Sequence, residues 1–204
     1  MRTLRALIPT LLAATVALGS LAGCAPLVLG GAAVGTMVAI DRRTSGAQLE
    51  DEGIELRAGA RIRDTLGARS HINVTSYNRQ VLLTGEVPSE ADKQQAQQLV
   101  SQVENVKAIV NELAVMGNSS IAQRSADTLT TGKVRASFVD DRQLSAPAFR
   151  VVTERGTVYL MGRVTQREAD RATQIARSIS GVQRVVRVFE IISEQELQQI
   201  APRR

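Results

Sequence analysis

Gln80-Val-Leu-Leu-Thr-Gly-Glu-Val87 and Thr157-Val-Tyr-Leu-Met-Gly-Arg-Val164 are two versions of one stretch. In each, apolar residues precede a Gly, a charged residue follows it, and Val closes the run. Runs rich in β-branched and aromatic residues read as strands, with the Gly marking a bulge or a close approach of another backbone. One such strand says little about a fold. The same strand used twice says that the chain repeats itself.

The repeat extends in both directions. Ile72-Asn-Val-Thr precedes the first copy as Phe149-Arg-Val-Val precedes the second. Downstream, Ala96, Leu99 and Val103 correspond to Ala172, Ile175 and Ile179. Upstream, Arg61-Ile-Arg63 and Leu66 align with Lys133-Val-Arg135 and Phe138. A repeat of roughly 75 residues is too long for a solenoid unit and suits a small domain. In the first copy, Ile54, Arg57, Ala58, Ile62 and Leu66 sketch an amphipathic helix whose apolar residues recur at three or four, and Gly67 stops the helix. Strands over 72–76 and 80–87 follow. Pro88-Ser89 opens a second helix carrying Ala96, Leu99 and Val103, and 106–115 closes the unit as a strand. The second copy has the same order, with helices over 126–140 and 165–180 and strands over 149–153, 157–163 and 183–192. Thr165-Gln-Arg-Glu168 has the form of a capping box. Each copy therefore reads α-β-β-α-β, an α+β arrangement.

The ends differ in kind from the middle. Arg2 and Arg5 precede the apolar run Leu11–Leu18, which leads into Leu21-Ala-Gly-Cys24. This is the layout of a secretory signal. Its last four residues are similar to the bacterial lipobox, which implies cleavage before Cys24 and acylation of that residue. A lipidated Cys24 leaves no other cysteine for a disulfide or a thiolate metal site. Acyl chains contribute about 0.8 kcal/mol per buried methylene, so several chains make a firm anchor. In the sorting pattern this resembles, Ala25 in place of Asp implies the outer membrane, with the body in the periplasm. The expected organisation is a signal over 1–23 and a lipidated tether over 24–50. A first domain over 51–116, a linker over 117–120, a second domain over 121–192 and a tail over 193–204 complete it. Within the tether, Gly31-Ala-Ala-Val-Gly35 has small residues at helix-packing spacing.

Charge separates the two copies. Residues 51–116 carry 7 basic and 9 acidic side chains, whereas 121–192 carry 12 and 7. The second domain is the one suited to anionic partners. Chemistry that needs a site is absent from the pattern. The single histidine, His71, has no second His or Cys beside it and reads as a surface residue. No Ser-His-Asp set and no phosphate-binding glycine loop occur. Scarce aromatics and interspersed acids argue against nucleic acid. The expectation is a non-enzymatic protein without a cofactor or metal.

Two α-β-β-α-β units, with Val158-Tyr-Leu-Met-Gly-Arg-Val-Thr-Gln-Arg-Glu-Ala169 and Ile179-Ser-Gly-Val-Gln-Arg-Val-Val186 as the best motif, resemble the BON domain of bacterial envelope proteins. With the lipobox, the whole chain resembles the division- and outer-membrane-stress-associated lipid-binding lipoprotein family of Gram-negative bacteria. The resemblance implies tandem BON domains, each with a three-stranded mixed sheet and two helices on one face. It also implies binding of anionic phospholipid, such as phosphatidylglycerol, through the first helix of the second domain, in support of envelope integrity and cell division. That family carries a Trp near the position of Leu129, and Leu keeps the apolar part without the polar handle. The residues support the same helix independently. Leu129 lies about 140° from the core position Val134, and Lys133 and Ala136 lie within about 40° of Leu129. Aligned with Arg57 of the first copy, Leu129 is expected at the surface. Leu129, Lys133, Ala136 and Arg135 are the candidate lipid contacts, and Arg167 and Arg171 could extend the basic surface. The alternative is an adaptor that docks on outer-membrane assembly or peptidoglycan-remodelling proteins, with Leu129 in a protein interface.

Overall fold

The computed structural model describes residues 41–200. Cys24, the signal sequence, the Gly31–Gly35 pattern and the end of the tail lie outside these residues. Helix α1 (Ser45–Leu66) starts six residues ahead of the expected boundary, because the Thr44 side chain caps it by accepting from Ala47 N at 3.1 Å. Residues 45–50, read from sequence as tether, are thus its first turns. The helix buries Ile54, Ala58, Ile62 and Leu66 along one side.

Strands β1 (His71–Tyr77) and β2 (Gln80–Val87) form an antiparallel hairpin. Helix α2 (Glu90–Ser101), capped by Ser89, carries the chain back so that β3 (Ala108–Asn111) pairs parallel with β2. The expected single strand over 106–115 is broken. Asn111 Oδ1 accepts from Leu113 N at 3.2 Å, while the Leu113 side chain turns into the core. Strand β4 (Ala114–Val115) then resumes pairing with β2 in unchanged register. The first sheet therefore has four strand segments rather than three.

The second unit repeats the plan. Helix α3 (Ile121–Asp140), strands β5 (Phe149–Glu154) and β6 (Thr157–Val164), helix α4 (Gln166–Ser178) and strand β7 (Arg184–Ile191) follow in order. β5 is antiparallel and β7 parallel to β6. The Thr165–Glu168 capping box is complete at the start of α4. A short helix, α5 (Glu194–Ile200), ends the described chain. The glycine of the repeated stretch has a steric reason. At Gly85, with φ +113°, an added Cβ would lie 2.0 Å from the His71 carbonyl oxygen.

Alternation along β2 and β6 explains how the domains meet. Val81, Leu83 and Val87 face α1 and α2, and Val158, Leu160 and Val164 belong to the core under α3 and α4. The intervening Leu82 packs with Tyr77, Tyr159, Met161 and Val188 in a third cluster that joins the two sheets. The order of layers is helices, sheet, sheet, helices. Burial of side chains such as Leu82 and Met161 stabilises by roughly 1.5–3 kcal/mol each. The two small units share this seam, which suits domains near the lower size limit for a self-sufficient core.

Candidate functional site

The outer face of α3 starts from how the helix is fixed. Asp127, buried on its inner side, accepts from Arg155 N at 2.8 Å and Gly156 N at 2.9 Å, which holds the β5–β6 turn. Arg155 and Gly156 both have positive φ, so the turn needs this support. In the first domain Asp51 does the same for Asn78 N and Arg79 N, and also accepts from Ser76 Oγ and Arg43. Burial opposes ionisation of Asp51, but those hydrogen bonds outweigh it and hold the carboxyl below its usual range. The two aspartates set the true correspondence of the helices. Asp51 answers Asp127, Ala58 answers Val134 and Ile62 answers Phe138. The sequence alignment of Ile62 with Val134 was one helical turn out, and Leu129 corresponds to Gly53 rather than Arg57.

The slip leaves the exposure of Leu129 unchanged: it is 67% accessible. Lys133 and Ala136 are also exposed. Arg135 lies on the flank and donates to the Val151 carbonyl at 3.1 Å, tying it to the sheet. Two further exposed apolar residues escaped the sequence reading. Ile121 is 83% and Val139 is 72% accessible, and both lie within about 80° of Leu129 around the helix. Their signal was an apolar residue at each end of α3, outside the buried spacing. Arg171 is ion-paired to Asp141 at 2.7 Å and Arg167 to Glu194 at 3.5 Å, so neither is a free cation on this face.

A second constellation sits in the seam, at the root of α3. His71 Nδ1 is 3.0 Å from Glu86 Oε2, and Arg155 Nη1 is 2.5 Å from Glu86 Oε1. Ser119 adds its N–H at 3.2 Å and hydroxyl at 3.1 Å to the same Oε2. Burial pushes the Glu86 carboxyl up, but the Ser119, Arg155 and His71 hydrogen bonds prevail and lower it overall. Among the described residues, Glu154, across the seam, accepts only from Asn73, at 3.0 Å. Burial, reinforced by the nearby Glu86 charge, pushes its carboxyl above the usual range. His71 is thus not the free surface residue expected; it faces the partner domain because residues 71, 73, 75 and 77 share one side of β1.

The ligand atoms of His71, Glu86 and Glu154 lie within 4.8 Å of one another. They do not suit a metal ion, since both Glu86 oxygens are filled by donors and the Arg155 guanidinium already supplies the counter-charge. Nor do they form a nucleophile and base. Ser119 and His71 contact the same oxygen of Glu86, and Ser119 is not bonded to the imidazole. An open cavity of about 390 Å³ lies beside this cluster, lined in part by Met116, Ser119, Gln123, Arg155 and Gln183. No described helix is long and apolar enough to cross a membrane.

The two repeats match the BON domain over residues 51–117 and 126–193, so the chain belongs to the BON-domain family. It is 39% identical to the outer membrane lipoprotein DolP of Haemophilus influenzae, over 84% of this chain and 90% of that one. That extent places it with the dual-BON outer-membrane lipoproteins. The 21 kDa hemolysin of Actinobacillus pleuropneumoniae is 31% identical over 75% of this chain and 80% of its own. The osmotically-inducible protein Y of Escherichia coli is 30% identical over 69% and 72%, respectively.

Proposed function

We propose that this protein is held by acyl chains on Cys24 at the periplasmic face of the outer membrane and recognises anionic phospholipid through the outer face of α3. The observation that carries this reading is the line of exposed apolar side chains Ile121, Leu129 and Val139 with Lys133 beside them. Eighteen residues of helix extend roughly 27 Å, enough to lie along a bilayer surface. Apolar side chains would enter the headgroup boundary, and each basic residue near an anionic surface adds about 1 kcal/mol. The protein acts by binding, not catalysis, and supports envelope integrity and cell division from that position.

An adaptor role keeps one specific support. Leu49 and Leu56 are 70% and 73% accessible on α1, two turns apart on one side. The layer order puts α1 on the side opposite α3, so a bilayer lying on α3 does not reach them. Co-sedimentation of residues 41–204 with phosphatidylglycerol vesicles and with purely zwitterionic vesicles tests the lipid reading. Selective pelleting that fades with salt and is lost in Leu129→Glu is expected. Wild-type protein that stays in the supernatant with both vesicles would leave only the adaptor.

A further inference from the structure

The seam has two ends related by the internal repeat, and they are built differently. At one end Tyr77 donates its hydroxyl to the Ala148 carbonyl at 3.2 Å. Shifting both positions by the strand offset, about 77 residues, exchanges this pair for Glu154 and His71. Where one end has a neutral phenol–carbonyl hydrogen bond, the other sets a buried carboxyl near an imidazole, with the ligand atoms of His71, Glu86 and Glu154 within 4.8 Å of one another. Arg43 covers the Tyr77 ring 4.3 Å from its centroid, and the phenol is pushed up to about 12 by burial and by Asp41. That end does not titrate under physiological conditions. The other end holds two buried carboxyls, Glu86 and Glu154, with one guanidinium, from Arg155, bonded to only one of them.

We infer that the Glu154–His71 end of the seam is a proton-operated latch: uptake of one proton by Glu154 closes the domain interface there and fixes the start of α3. Every facing group takes part. His71 and Asn73 come from β1, Glu86 from β2, Glu154 and Arg155 from the β5–β6 hairpin, and Ser119 from the linker. With both carboxyls ionised, Arg155 neutralises Glu86 and leaves the Glu154 charge buried beside it. A proton on Glu154 removes that imbalance. Among the described residues, Thr84 Oγ1, on the same side of β2 as Glu86, has no hydrogen-bond partner. This polar patch thus has spare capacity to rearrange. The link to α3 is short. Glu86 holds both the N–H and hydroxyl of Ser119, Arg124 Nε donates to that hydroxyl, and the next residue, Ser120, caps α3.

The direction follows from the raised Glu154 carboxyl. A group whose ionisation is disfavoured in the fold stabilises below its unfolded pKa and loses that contribution as pH rises through the folded value. The seam tightens on acidification and loosens towards alkaline pH. Hydrogen exchange of the Ser119 amide, corrected for intrinsic rates, reads this in the full-length protein. Protection should fall severalfold from mildly acidic to mildly alkaline pH. Glu154→Gln, which keeps the shape and the Asn73 contact, should give high protection without pH dependence. His71→Gln, which leaves both carboxyls in place, should keep the pH dependence, and serves as the second variant on a less buried position. A Glu154→Gln profile that still titrates like wild type would overturn the latch. So would Ser119 protection that is independent of pH, or a wild-type response appearing only when Zn²⁺ is added.

Discussion

Helices α1 and α3 occupy the same place in the two domains, yet they differ on both of their faces. Inward, each carries a buried Asp that holds a hairpin turn, but among the described residues Asp51 receives Ser76 Oγ, Asn78 N, Arg79 N and Arg43, whereas Asp127 receives only the turn amides. Outward, α1 shows Leu49 and Leu56 in a domain with an acid excess, and α3 shows Ile121, Leu129 and Val139 in a basic one. The lesson is that the repeat preserves what fixes the hairpin and varies what meets the outside. What the two repeats share is thus structural and internal, and what distinguishes them is on the surface.

The inward difference is the larger in energy. Asp51→Ala strands a serine hydroxyl and two turn amides, and frees a guanidinium from a buried partner. Its cost should be about 3–5 kcal/mol. Asp127→Ala strands two amides and should cost about 2–3 kcal/mol. Chemical denaturation of the two variants gives the difference directly. Equal losses would show that the extra partners of Asp51 are replaced by solvent.

A second inward feature joins the domains. Arg42, just ahead of α1, donates to both oxygens of Glu168, at 2.8 and 2.6 Å, and to the Arg163 carbonyl at 2.9 Å. The segment before α1 therefore straps the first domain to the capping box of α4. Both side chains are buried, and removal of one partner by Arg42→Ala should cost about 3 kcal/mol. Burial opposes ionisation of Glu168, but Arg42 and the Thr165 hydrogen bonds outweigh it and lower its carboxyl. Stabilisation from Glu168 is present above the unfolded carboxylate range and is lost as pH falls through the lowered folded value. This sign is opposite to that of Glu154. In Arg42→Ala the acid-side loss of thermal stability should shrink, and an unchanged acid limb would show that the strap does not carry it.

What was legible in sequence divides along the same line. The strand pair and the helix order were readable because each repeated apolar spacing has one buried solution. The register between α1 and α3 was not readable from apolar residues. A shift of four positions leaves a stripe spaced by four in phase, and only the buried aspartates distinguish the two alignments. Asn111 broke the last strand of the first domain through a side-chain contact that no periodicity reports. Seam packing had a signal in Val81–Leu83 and Val158–Leu160, where consecutive apolar residues mark a strand buried on both sides. The His71–Glu154 end could not be read at all, since its members lie 83 positions apart and meet only when the domains dock.

The outward difference carries the smallest free energy and the most direct bearing on function. If α3 lies on lipid as proposed, Leu129→Glu withdraws one apolar side chain from that boundary and adds a negative charge. Loss of roughly 1.5–3 kcal/mol of burial corresponds to about a 10- to 150-fold weaker association with phosphatidylglycerol vesicles. Leu56→Glu makes the same chemical change on α1, at a position no less exposed. Its vesicle binding should stay within twofold of wild type, because the two sheets separate α1 from a membrane that lies on α3. Vesicle titration of both variants at one ionic strength decides the matter. If Leu56→Glu weakened binding as much as Leu129→Glu, the surface of α3 would have no special standing. The protein would then meet lipid through scattered apolar side chains on both domains.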